Sequence, residues 1–243
     1  MNHSNMVALR QVFTTKSFSD HSMVFVYDYY PGAETLMSKH FNNPSQHQVG
    51  NAFMDPFSGT DGGSRPYSQH KNQILRQQAQ LTQNGFLTES LIWTYVIQLT
   101  SALRHIHSAG LACRTLDPTK ILVINKARLL LNCGGIFDVI TFDPSNANPM
   151  AAMAHYQQED LIALGKIVLA LACNSFLAIQ RENMQTSMEI VTQTYSTDLR
   201  NLIMYLLTNP TRIKSVNDLM PMIGKFLITQ RGSFYYNLLF PFL

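Results

Sequence analysis

Residues 105–134 read HIHSAGLACRTLDPTKILVINKARLLLNCG, and the order of elements in this stretch decides the fold. An amphipathic helix ends at Ala109-Gly110, with Gly110 in the C′ position where a left-handed residue closes a helix. An irregular loop follows. Two short strands come next, Ile121–Ile124 and Arg128–Leu131, joined by the turn Asn125-Lys126-Ala127. Upstream, Thr88 is placed to N-cap the helix, and Ile92, Tyr95, Val96, Leu99, Leu103 and Ile106 recur at helical spacing. Downstream, Asn132 to Met153 reads as Gly- and Asn-rich irregular chain. Asp160 to Cys173 then reads as a helix apolar nearly all round, hence buried on all sides.

Further out, amphipathic helices are predicted near Met184–Thr194, Thr197–Leu207 and Ser215–Phe226. Towards the N-terminus, Val7, Leu9, Val12 and Phe13 form one β-rich run and Met23–Tyr27 a second. The turn-prone Ser19-Asp20-His21-Ser22 between them predicts two antiparallel strands. The second run is apolar on both faces, which predicts a strand that is not an edge. From Asn42 to Phe86, 25 of 45 residues are Asn, Gln, Ser, Gly or Pro. Such a stretch buries too little apolar surface to offset its ordering entropy and reads as a disordered insertion, with a short helix over 74–81. Its His47 and His70 have no partners at metal-ligand spacing and read as solvated.

The 243 residues are 46% hydrophobic and only 14% charged, with a net charge of +3. That balance is too weak to predict a nucleic-acid groove from electrostatics. Cys113, Cys133 and Cys173 are too widely spaced for a disulfide framework or a C-x-x-C zinc site, which predicts an intracellular, reducing location. The opening residues lack the apolar stretch of a signal peptide. The longest apolar run, Leu161–Cys173, contains Lys166 and is too short to span a bilayer, so no membrane association is expected.

The order of strand, linker, long helix, irregular loop, hairpin, second irregular loop, buried helix and smaller helices resembles the large lobe of a protein kinase preceded by the end of its small lobe. The predicted fold class is α+β, protein-kinase-like: mainly the helical large lobe, with the last strands of an incomplete small lobe. Where a kinase shows H-R-D-L-x-x-x-N, this chain has Cys113-Arg114-Thr115-Leu116-Asp117-Pro118-Thr119-Lys120. Thr115 takes the place of the catalytic Asp and Lys120 that of the metal-binding Asn. Where a kinase has D-F-G, the chain has Asn132-Cys133-Gly134, and Asp160-Leu161-Ile162-Ala163-Leu164-Gly165 matches the start of the central large-lobe helix. Phosphoryl transfer needs a carboxylate to orient the hydroxyl and carboxylate plus amide ligands for magnesium. Thr115 has no acid–base capacity near neutral pH, Asn132 offers a neutral oxygen, and Lys120 repels a cation. The residues read as a pseudokinase, with no catalytic residue and no metal.

The strings VFVYDYYPGAETL, ESLIWTYVIQLTSALRHIHSAGLACRTLDPTKIL, YQQEDLIALGKIVLALACNS and SVNDLMPMIG closely resemble the pseudokinase regulatory subunit of the poly(A)-nuclease deadenylation complex. The resemblance covers most of residues 1–224. It implies a non-catalytic adaptor that recruits the exonuclease to mRNA for poly(A)-tail shortening and decay, in the cytoplasm and in P-bodies. It also implies as partners the exonuclease subunit, the poly(A)-binding protein, glycine-tryptophan-repeat silencing proteins, mRNA poly(A) and a second copy of the subunit. It implies ATP as a bound, unhydrolysed ligand. The matching positions are Asp28, Tyr29, Tyr30, Pro31, Gly32, Ala33, Glu34 and Thr35 on the hinge side, with Thr119 and Lys120 in the remodelled loop. Asp28–Tyr30 would offer backbone groups to adenine, Glu34 would reach a ribose hydroxyl and Lys120 a phosphate. The plainer readings are an interlobe turn and a solvated lysine.

The resemblance divides the chain into a partial small lobe and hinge (1–36), a polar insertion (37–87), the pseudokinase large lobe (88–224) and a divergent tail (225–243). The Gly-rich loop and the strand-3 Lys of a kinase small lobe do not occur in these residues, which removes half of the phosphate cradle. The tail shows no heptad where the family has a coiled coil and knob, so the dimer seam is expected to be missing. Its Phe234, Tyr235 and Tyr236 have no interleaved basic residues that would favour RNA stacking. Alternatives to the adaptor are a kinase with unusual residues, a nucleotide-sensing module, and a non-functional truncated isoform. Trp93 reads as core, His105 and His107 as helix-end residues favoured by the dipole, and Cys113 as a buried packing thiol.

Overall fold

The computed structural model describes residues 2–19, 21–41, 85–141, 149–208 and 213–228. Residues 42–84 of the insertion predicted from Asn42 to Phe86, with its helix over 74–81, His47 and His70, lie outside them, as do residues 229–243 of the tail.

The N-terminal strands pair as their patterning predicts: β1 (Leu9–Thr15) runs antiparallel to β2 (Ser22–Tyr27), in register from Gln11 opposite Val26 to Thr15 opposite Ser22, with a shift between Gln11 and Leu9, which lies opposite Tyr27. The expectation that β2 is not an edge is overturned. Among the described residues β1 is its single strand neighbour, and Met23 and Val26 are exposed. Apolar residues on both strand faces signal burial only where a second layer covers them. Met6 bridges to Leu131, and Val7 N–H donates to Leu131 O at 2.8 Å, which fastens the hairpin to the rest of the fold.

Past β2 the chain turns through Pro31-Gly32, closed by Ala33 N–H donating to Tyr30 O at 3.2 Å. Glu34–Thr35 form β3, and Thr35 then N-caps a short helix α1 (Leu36–His40) by accepting from Ser38 N–H at 3.0 Å. Leu36 and Phe41 are buried, so the folded body extends five residues past 36.

The long helix α2 (Glu89–Ser108) starts where Thr88 predicts, although the Thr88 side chain makes no cap bond. It ends as Gly110 dictates: Gly110 N–H donates to His107 O at 3.0 Å and Leu111 N–H to Ile106 O at 3.3 Å. Strands β4 (Ile121–Ile124) and β5 (Arg128–Leu131) fall at their predicted bounds and join β3 in the order β3-β4-β5, with Glu34 opposite Val123 and Thr35 opposite Leu122.

Two corrections fall in the stretch read as irregular from Asn132 to Met153. A short helix α3 spans Ile136–Ile140, and the central helix α4 runs Pro149–Ala172, beginning well before Asp160. Residues 151–159 are rich in Ala, Gln and Glu, good helix formers without the apolar continuity that marks the buried half. From Asp160 onward α4 is buried nearly all round, with Lys166 the exposed side chain, and it packs against α2 and α6. Helices α5 (Met184–Thr194) and α6 (Thr197–Leu207) match expectation. The last predicted helix opens as a 3-10 turn, Val216–Leu219, and continues as α7 over residues 220–228.

Candidate functional site

The loop from Cys113 to Lys120 is held from beneath by Asp160, 2% exposed at the heart of the large lobe. Its carboxylate accepts from Cys113 N–H at 2.6 Å, from Arg114 N–H at 2.8 Å and from His107 Nε2 at 2.9 Å. His107 is therefore more than a helix-end residue: it ties α2 to the same carboxylate. Sequence reasoning matched Asp160 to a helix start, but periodicity carries no signal that its side chain turns back onto the loop. Arg114 takes a positive φ of 56° there, its guanidinium donates to Asp138 at 3.0 Å, and it lies 3.9 Å over the Tyr156 ring.

The floor of the site is neutral. Thr115 is buried, and its single hydroxyl proton has two backbone acceptors within reach, Cys113 O at 3.3 Å and Asn132 O at 3.4 Å. Burial pushes the Cys113 thiol up to about 11, with the Asp160 charge adding to it, so the thiol stays protonated and packs as predicted. The nearest loop carboxylate, Asp117, accepts from both the backbone N–H and the hydroxyl of Thr119 at 2.8 and 2.5 Å, so it shapes the turn. Lys120 leaves the loop pointing elsewhere: its ammonium sits 5.0 Å from the Phe137 ring centroid on α3.

The ten positions matched to nucleotide contact fall in two neighbouring segments. Asp28 holds Arg10 through two oxygens, at 2.5 and 2.8 Å, and its N–H donates to Ala8 O. Tyr29 is 85% exposed, while Tyr30, Pro31, Gly32 and Ala33 form the turn. The ladder sets Thr35 beside Leu122, two residues past Lys120, and Met37 N–H donates to Pro118 O at 2.9 Å. The hinge side and the remodelled loop are thus joined. Thr119 and Lys120, however, are engaged with Asp117 and Phe137. An apolar cleft of about 260 Å³ is lined by residues including Met6, Val7, Tyr27, Thr115, Leu131 and Asn132, and by none of the ten. Among the described residues no three His, Cys, Asp or Glu side chains are grouped to hold a metal, and no helix is long and apolar enough to cross a membrane.

The chain is 57% identical over 228 residues to the PAN2-PAN3 deadenylation complex subunit pan3 of Xenopus tropicalis, covering 94% of this chain and 27% of that protein. It is equally identical, over 229 residues, to the subunit named PAN3 in Homo sapiens, covering 24% of it. Its fold superposes on the solved PAN3 pseudokinase of Drosophila melanogaster with a TM-score of 0.72 at 42% identity, covering 98% of this chain and 53% of that one. The chain belongs to the PAN3 pseudokinase family. The likeness extends to the Neurospora crassa complex of PAN2 (WD40-CS1) with PAN3, with a TM-score of 0.65 at 28% identity, 97% of this chain and 50% of that one. No family model matches the chain. It spans about a quarter of the length of these curated PAN3 relatives. The kinase-like α+β fold expected from the order of elements is the fold of the solved PAN3 pseudokinases.

Proposed function

We propose that this chain is the pseudokinase portion of a regulatory subunit of a PAN2-PAN3 deadenylation complex, and that it serves as a non-catalytic adaptor for the exonuclease. The observation that carries this reading is the 57% identity to PAN3 subunits over 94% of the chain. The neutral floor supports it from chemistry. With Thr115 at the position of the catalytic Asp, Asn132 at that of the metal-binding Asp and Lys120 at that of the Asn, no carboxylate stands there to orient a hydroxyl or to anchor magnesium at a phosphate.

In the adaptor role the exonuclease partner is PAN2. Poly(A)-binding protein, glycine-tryptophan-repeat silencing proteins and mRNA poly(A) are further partners, and the cytoplasm with its P-bodies is the working location. ATP is proposed as a bound ligand at the joined segments Asp28–Thr35 and Thr119-Lys120. It would supply adenine for the exposed Tyr29 edge and a phosphate for Lys120, which would give up its contact with Phe137.

Co-purification of the full-length parent with PAN2 tests the adaptor reading, and an absence of association would overturn it. A radiolabelled ATP assay tests the non-catalytic claim: phosphotransfer abolished by Thr115→Ala would refute it. Thermal unfolding of the parent with and without ATP, against Lys120→Ala, tests the ligand; an absence of any shift in the parent would exclude it.

A further inference from the structure

Ahead of β1, residues 3–7 run against the large lobe, and their bonds converge on the buried Asn5. Its carboxamide donates to Gln98 Oε1 of α2 at 2.8 Å and to Leu129 O of β5 at 2.9 Å. Its carbonyl accepts from Leu131 N–H at 2.9 Å, and its own N–H donates to His3 Nδ1 at 3.1 Å. The last contact fixes the tautomer. A ring nitrogen that accepts a backbone N–H carries no proton, so His3 Nε2 holds it and donates to Ser101 Oγ of α2 at 3.2 Å. The His3 ring also stacks on His105 of α2, with centroids 5.2 Å apart.

The surroundings favour the neutral ring. Arg10 of β1, Tyr30 of the hinge turn and Arg128 of β5 share one hollow with His3, and Arg128 donates to Ser4 O at 2.9 Å. With His105 these are the titratable and charged groups around the ring, and none of the four is a carboxylate. Asp28, the acid nearest to them in the chain, is engaged by Arg10. Partial burial, helped by His105, holds His3 below its ordinary 6.5.

We propose that residues 3–7 are a proton-sensitive clasp between the N-terminal hairpin and the large lobe, closed while His3 is neutral and opened by a proton on its Nδ1. That proton would point one N–H at another, which breaks the bond from Asn5 and sets a new charge among two arginines and a second imidazole. The bonds that follow in the chain, Leu131 N–H to Asn5 O and Val7 N–H to Leu131 O, loosen with it. Tyr27 Oη, which donates to Gly134 O at 2.7 Å, still tethers the hairpin. The open segment takes up a proton at the ordinary 6.5 and the closed one refuses it until lower pH, so the clasp is closed above 6.5 and opens as pH falls below it. It is built from this chain's own contacts and stands whether or not the adaptor reading does.

Native-state amide exchange of the intact chain, corrected for the intrinsic rate at each pH, reads the clasp. Because opening takes up one proton, protection at Asn5, Val7 and Leu131 should be constant above pH 6.5 and fall about tenfold per pH unit just below it. Proton NMR should show the His3 ring titrating below 6.5. His3→Gln, neutral at every pH, should remove the slope at these amides, and His40→Phe should leave it in place. Protection flat across pH 6.5, His3 titrating at or above that value, or a slope that survives His3→Gln would each overturn the proposal. Where His3→Gln leaves too little protection to measure, the slope and the His3 titration in the unaltered chain and in His40→Phe decide.

Discussion

The Asp160 carboxylate accepts the backbone N–H of Cys113 at 2.6 Å across 47 residues of sequence. With Arg114 N–H and His107 on the same group, one buried side chain positions the whole remodelled loop. A carboxylate in the interior is tolerated because three donors satisfy it, and those donors are equally dependent on it.

Asp160→Ala strands the buried Cys113 N–H, the part-buried Arg114 N–H and the His107 ring. It is expected to cost about 3 kcal/mol. Urea unfolding checks this as a lowered midpoint, and amide exchange should quicken first at Cys113 and Arg114. An unchanged midpoint would mean that the loop holds itself.

The half-buried His40 and the buried Tyr95 form a second pair, 3.1 Å apart, between α1 and α2. Burial, helped by the neighbouring Lys39 charge, lowers His40 from its ordinary 6.5 to about 4. Between these values the unfolded chain binds a proton that the folded chain refuses, so stability falls as pH drops through that window and is fully present above 6.5. The loss reaches about 3 kcal/mol near pH 4. Thermal unfolding between pH 7 and 4 should show this loss, and His40→Phe should flatten the slope that His40 contributes.

Gly165 lets α4 and α6 approach closely: a Cβ built there would stand 2.7 Å from Leu206 Cβ and 3.0 Å from a Leu207 methyl. Alanine favours helices over glycine by about 1 kcal/mol, but Leu206 Cβ is fixed to the backbone and cannot give way cheaply. Gly165→Ala should therefore destabilise by about 1–2 kcal/mol in equilibrium unfolding. A stabilised variant would mean that the helices separate freely.

Trp93, the chain's single tryptophan, stacks on Phe226 of α7 with ring centroids 4.7 Å apart, and its indole N–H donates to Glu89 at 3.0 Å. Phe226→Ala should cost about 2 kcal/mol and free α7 from α2. Because no other tryptophan contributes, a red shift of fluorescence before global unfolding would report that release directly. An unshifted spectrum would show that Phe226 does not hold the helix.

Much of the fold was legible because its signals are local. Helix α2 carries its apolar stripe and the Gly110 stop, β4 and β5 carry two short apolar runs around the Asn125-Lys126-Ala127 turn, and the buried half of α4 carries an apolar run interrupted only by Gly165-Lys166. The parts that were not legible depend on partners distant in sequence. Strand β3 is two residues long and exists because Glu34 and Thr35 find Val123 and Leu122. Helix α3 buries none of its residues, so it leaves no periodic imprint. The apolar run of β2 promised a covered strand, yet side chains alone cannot say whether a second layer is there.

The site divides in the same way. The sequence by itself determined the functional groups: Thr115, Lys120 and Asn132 carry no carboxylate, because a side chain's functional group is fixed by its identity. Only the tertiary structure decided where those groups face. It turned Asp160 onto Cys113 and Arg114, set the Lys120 ammonium against Phe137, and left Asn132 Oδ1 buried beside an aliphatic cleft. Orientation, burial and pairing come from packing between segments far apart in the chain, and no local pattern encodes them.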